Sequence, residues 1–244
     1  MTDKHQGLYD LSGEHVAVLM TPAWGSLGPA LARALDGLDA TSGPVLDVGA
    51  GAGPATRTIA QTLPEARVLA IEPDRGLRTA LLSMVVSDPD LAARVTVAAT
   101  DLLSTPWPET ISGMVALNVL GHLPPDDRRT AWHRLASSLA AEGRAVIDLS
   151  PPFTDEAIPP FDMAAITLGE RQHGGTAQAR VIAPRVLEWQ MDYQVREGET
   201  VISETTVRYE WHLFSPDEVA AELSEAGLKL HEPAAPGGLY LITH

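Results

Sequence analysis

Three features of the chain predict an α/β fold with a mostly parallel sheet and helices on both faces. Short apolar runs alternate with helical segments between residues 44 and 149. The first run ends in a glycine-rich turn that leads into a helix. A strict apolar/polar alternation then begins at Leu187, which marks an antiparallel addition to the parallel core.

The elements follow in order. Residues 1–42 read as a helical N-terminal extension, with Leu27, Leu31, Ala34, Leu35 and Leu38 at helical spacing. Pro44 to Val48, Arg67 to Ile71, Arg94 to Ala98, Ile111 to Leu117 and Arg144 to Leu149 read as buried strands. Helices are expected at Pro54 to Leu63, Arg75 to Val86 and Pro125 to Ala141, the last stopped by Gly143. The proline-rich stretch 151–160 reads as a crossing loop, and His173 as a loop residue. Leu187 to Val195 and Val201 to Leu213 form a hairpin around a polar turn. Its apolar side is expected on the core, with Glu188, Gln190, Asp192, Glu204, Arg208 and His212 facing the other way. Ser215 and Glu218 form a capping box for a further helix, and Leu228 to His231 and Leu239 to Thr243 close the sheet. The expected organisation is one domain: extension 1–42, core 43–150, antiparallel insertion 151–214, and closing helix and hairpin 215–244.

Composition narrows the function. A hydrophobic share of 45% and a charged share of 20% are those of a soluble globular protein. No apolar run approaches the ~20 residues of a membrane span, and the polar first ten residues lack a secretory pattern. The absence of cysteine excludes disulfides and thiolate chemistry and fits a cytoplasmic setting. With 17 basic residues against 32 acidic ones, net −15, the chain is a poor match for a phosphate backbone. A small-molecule partner is expected, with no nucleic acid and no membrane, and a homodimer is left open. The histidines show no metal-ligand spacing, so no metal is expected.

The informative segment is VLDVGAGAGPAT, Val45 to Thr56. Gly49, Gly51 and Gly53 follow a strand that ends near Asp47, and they let a ligand approach the backbone. A dinucleotide site favours GxGxxG, but here Pro54 stands where the last glycine would fall. Asp47 would repel a pyrophosphate and attract an ammonium or sulfonium. Glu72 ends the second strand, Asp101-Leu102 follow the third, and Asn118 to Leu123 (NVLGHL) follow the fourth. In parallel sheets the ligand sits beyond these strand ends.

Taken together, these segments resemble the class I methyltransferases that depend on S-adenosylmethionine, with a Rossmann-like, seven-stranded, mostly parallel sheet. The ending VRYEWHLFSPDEVAAELSEAGLKL is similar to that of bacterial small-molecule, secondary-metabolite members. The resemblance implies S-adenosylmethionine as cofactor. It also implies a site at Asp47, Gly49, Ala50, Gly51 and Gly53, with Glu72 and Pro73 at the ribose and Asp101 and Leu102 at the adenine. Asn118 and Val119 would lie beside the transferable methyl. The Asn/Asp-Pro-Pro-Tyr/Phe tetrapeptide of amino-nucleobase enzymes is missing after the fourth strand. His122 and Tyr9 are the candidate bases. The expected reaction is in-line methyl transfer to an O, N or electron-rich C atom of a small, aromatic metabolite. Two alternatives stay open: a relative that uses the same cofactor for a non-methylating step such as cyclisation, and a nicotinamide-dependent oxidoreductase.

Overall fold

The computed structural model describes residues 11–233 and 238–244. Two N-terminal helices, α1 (Gly13–Leu19) and α2 (Trp24–Leu35), precede the alternating core. There β1 (Val45–Val48), α3 (Pro54–Thr62), β2 (Val68–Ile71), α4 (Arg75–Val86), α5 (Pro89–Arg94) and β3 (Val95–Ala98) follow one another. They lead into β4 (Ile111–Ala116), α6 (Pro125–Ser138) and β5 (Leu139–Ile147). Five strands then form the second sheet: β6 (Ile158–Asp162), β7 (Ile166–Leu168), β8 (Arg171–Ala183), β9 (Val186–Glu197) and β10 (Thr200–His212). The chain ends with α7 (Pro216–Glu225), β11 (Lys229–His231) and β12 (Tyr240–Thr243).

The first sheet has seven strands in the order β11-β12-β5-β4-β1-β2-β3. Strands β5, β4, β1, β2 and β3 run parallel; β12 pairs antiparallel with β5, and β11, antiparallel to β12, again runs in the direction of the core strands. Every residue of β1 is buried, as expected for a central strand covered on both sides. Its side chains alternate accordingly. Leu46 and Val48 join Trp132, Leu135, Phe214 and Leu223 beneath α6 and α7, whereas Val45 joins Leu31, Leu35 and Ile59 beneath α2 and α3. The α/β expectation with helices on both faces therefore holds. No helix among the described residues is long and apolar enough to cross a membrane.

Several local expectations need correction. Helix α6 ends at Ser138, and Gly143 lies inside β5 rather than stopping the helix. A Cβ there would stand 2.8 Å from Ser112 O, and the β4–β5 register is irregular at this point, so the glycine serves a bulged strand. The stretch read as a crossing loop yields β6 at its end, and His173 pairs with Ile166 and Val195 within the second sheet. That sheet, ordered β10-β9-β8-β6 with β7 on β8, is wider than the expected hairpin. The capping box at Ser215 is present, with Ser215 N–H donating to Glu218 Oε2 at 2.6 Å and Glu218 N–H to Ser215 Oγ at 3.2 Å.

Candidate active site

The parallel strands end at a cleft of about 1030 Å³, bounded by the glycine turn, the N-terminal helices and the second sheet. Its floor is made from successive strand ends. Gly49, Ala50, Gly51 and Ala52 come from the turn after β1, Glu72 and Pro73 from β2, Asp101 and Leu102 from the segment after β3, and Asn118 and Val119 from β4. The turn needs glycine at its start. Gly49 has φ +64°, and a Cβ on it would stand 2.7 Å from Val119 Cγ2.

Glu72 is 4% exposed, and both of its carboxylate oxygens are anchored. Oε2 accepts Gly51 N–H and Oε1 accepts Asp74 N–H, each at 2.8 Å. Burial holds its pKa above the ordinary value, against the pull of these two N–H groups. Each oxygen keeps a lone pair beyond the one used, which suits a pair of vicinal hydroxyls. Asp101 Oδ1 accepts the N–H groups of Leu103 (2.7 Å) and Ser104 (2.8 Å) and so shapes the turn that presents Leu102. Asn118 has φ +58°, unusual for a residue other than glycine, and its N–H donates to Asp148 Oδ1 at 2.7 Å.

Asp47 and Gly53 do not line the cleft. Asp47 is 1% exposed and accepts the hydroxyl of Thr56, so its carboxylate faces α3 rather than the cleft. Burial raises its pKa to about 7. Gly53, φ +99°, packs against Leu81 and Met84 of α4. His122 lines the cleft on a short turn after β4, and its ring lies 5.0 Å from that of Trp211 and 5.5 Å from that of Tyr209. Tyr9 lies outside the described residues.

The wall opposite the floor is the apolar face of the second sheet. Met191 and Tyr193 of β9 and Tyr209 and Trp211 of β10 point into the cleft, joined by Phe161, Asp162 and Met163 at the end of β6. The sequence places this apolar face on the core, whereas here it lines the cleft. The polar face is occupied by its own pairs, such as Arg208 to Gln190 and Thr206 to Asp192. Burial pushes the Tyr193 phenol up to about 12 and Tyr209 higher still, so both remain protonated donors near neutral pH. Helix α1 supplies Val16 and Leu19 and stacks the buried His15 parallel to Tyr193, with ring centroids 4.9 Å apart.

Sequence reasoning missed Trp24, Arg57, Asp162 and the supporting Asp148. The last was findable by the rule that identified Glu72, since it follows β5 directly (RAVIDL). The others depend on how separate layers meet.

Residues 46–145 match a family model described as a methyltransferase domain. The chain carries a methyltransferase domain. Among solved structures, the methyltransferase is similar to DesVI of Streptomyces venezuelae, with 16% identity and a TM-score of 0.75 over 97% of this chain and 96% of that one. It is also similar to CalS10, an amino pentose methyltransferase from Micromonospora echinaspora involved in calicheamicin biosynthesis and solved with S-adenosylmethionine bound. That likeness has 16% identity and a TM-score of 0.70 over 96% and 95% of the two chains. KedS8, a sugar N-methyltransferase from Streptoalloteichus, matches with 17% identity and a TM-score of 0.68 over 93% and 91%. At these identities the likenesses speak for the fold. No curated protein sequence matches the chain.

Proposed function

We propose that this methyltransferase methylates an amino nitrogen on a small molecule with an apolar or aromatic face, such as an amino sugar. The observation that carries this reading is the wall of Met191, Tyr193, Tyr209 and Trp211 with Asp162 at its edge, set opposite the donor floor. Aromatic faces and a carboxylate attract an ammonium group as it arrives. The names of CalS10 and KedS8, an amino pentose and a sugar N-methyltransferase, support the same class.

When bound, S-adenosylmethionine supplies a methyl group already activated on a sulfonium. The chain's share is then to hold the acceptor in line and to manage one proton. Glu72 would hold the ribose hydroxyls, the turn after Asp101 the adenine, and Asn118 and Val119 the region beside the methyl. The amine attacks as its neutral form, so a group must take its proton. His122 suits that role, because imidazole ordinarily titrates near neutrality while the flanking phenols stay protonated. Tyr9 stays a second candidate.

The test uses a methyl-labelled donor and paired acceptors, amino sugars and their hydroxyl counterparts, followed by mass spectrometry. Label on the amine alone is expected. Label on the hydroxyl partners, or on carbon, would contradict the amine reading.

A further inference from the structure

Four lining residues of the cleft carry a formal charge. Glu72, Asp101 and Asp162 are acidic, and Arg57 is the one Lys or Arg among the described lining residues. Arg57 stands one turn into α3, where it shares the cleft-facing side with Pro54 and Thr58. Arg57 is exposed and, among the described residues, its guanidinium makes no ion pair or hydrogen bond, whereas other arginines around the floor are engaged. Arg78 donates to the carbonyls of Glu72 and Pro73 at 2.8 Å each, and Arg134 donates to Leu103 O at 2.6 Å. A guanidinium presents a planar fork of N–H donors that matches a carboxylate.

The direction of the floor says which carboxylate. Taking the donor as in the preceding section, the adenine lies at Asp101, the ribose at Glu72 and the sulfur beside Asn118. The glycine turn lies between these strand ends, and α3 rises directly from it. With the donor so placed, its amino-acid end would extend from the sulfur toward Gly49 to Ala52 and the first turn of α3. Asp47, which the sequence suggested for this end, is buried against Thr56 and turned away. The nearby hydroxyls are also committed, Thr58 to Pro54 O and Thr21 to Ala17 O, each at 3.0 Å. We propose that Arg57 anchors the carboxylate of the methionine moiety and so sets the position of the sulfonium along the cleft.

This inference rests on the donor reading, and the test separates the two. Calorimetry of the full chain compares S-adenosylhomocysteine with 5′-methylthioadenosine, which keeps adenine, ribose and sulfur but lacks the amino acid. Arg57→Ala is expected to weaken S-adenosylhomocysteine by roughly tenfold to a hundredfold, the scale of a charge-assisted hydrogen bond. The affinity for 5′-methylthioadenosine should stay unchanged, and Arg57→Lys should recover part of the loss. Unchanged S-adenosylhomocysteine affinity, or an equal loss for both ligands, would overturn the anchor. Failure of the unaltered protein to bind either ligand would overturn the donor reading itself.

Discussion

The indole of Trp211 occupies the space that a side chain at Gly121 would need. A Cβ on Gly121 would stand 1.9 Å from Trp211 Cε2 and 2.3 Å from Cζ2. The contact joins the turn that carries His122 to strand β10 of the aromatic wall, so turn and wall form one packed unit. Interiors this dense pass a displacement on rather than absorb it. Gly121→Ala should therefore lower kcat/KM for the acceptor by roughly tenfold, about 1.4 kcal/mol. Affinity for S-adenosylhomocysteine should stay within about twofold. Steady-state kinetics and calorimetry on the variant check both, and an unaltered acceptor kcat/KM would refute the coupling.

Glu72 is expected to act on the donor. Glu72→Ala removes a carboxylate held by Gly51 and Asp74, and S-adenosylmethionine binding should weaken by about 1–3 kcal/mol. A thermal melt of the variant shows whether the turn survives. Unchanged affinity in a folded variant would remove Glu72 from the ribose site.

Asp47 gives a pH prediction. Its folded pKa, about 7, lies above the ordinary 3.8, so the folded protein holds this proton more tightly than the unfolded chain. The associated stability is full at low pH and is lost as pH rises through that window. Asp47→Asn cannot ionise and keeps an acceptor for Thr56. The difference in Tm, variant minus unaltered protein, should climb between about pH 4 and pH 7 and then level off. Burial shifts Glu72 and Asp148 in the same direction, but both proteins share them. A difference in Tm independent of pH would show that Asp47 does not retain its proton.

The buried pair of Arg128 and Glu222 ties α6 to α7. Arg128 Nε and Nη2 donate to Glu222 at 2.8 and 2.7 Å, Trp132 Nε1 adds a bond at 3.1 Å, and the two side chains are 3% and 7% exposed. Glu222→Ala strands a buried guanidinium and should cost about 3–5 kcal/mol. Replacing both partners, as Arg128→Met with Glu222→Leu, should recover much of that loss. Denaturant melts check the pair, and a double variant as unstable as the single one would contradict this view.

Much of this architecture was legible in the chain because each central strand is a short apolar run ending in a recognisable turn. The alternation from Val45 to Ile147 gave the parallel core, and Ser215 with Glu218 gave the start of α7. Strand β8 escaped notice because its buried positions are held by Gly174, Ala177 and Ala179, whose small side chains leave little hydropathic pattern. Residues from Leu139 to Ala141 read as helix because the helical face of Trp132, Leu135 and Leu139 runs unbroken into the strand. Within the site, Gly49, Glu72, Asp101 and Asn118 could be found from their places at strand ends, which topology brings together. Trp24, Arg57 and the aromatic wall could not, since they meet the floor only through the packing of separate layers. Asp47 could be found, but its orientation could not, because Thr56 captures it from the neighbouring helix.

The most direct measurement is calorimetric titration of the unaltered chain with S-adenosylhomocysteine, with NAD and NADP as controls. Micromolar binding of S-adenosylhomocysteine and none of the nicotinamides is the predicted result. Binding of a nicotinamide, or of none of the three, would contradict the assignment of Gly49, Glu72 and Asp101 to a methyl donor.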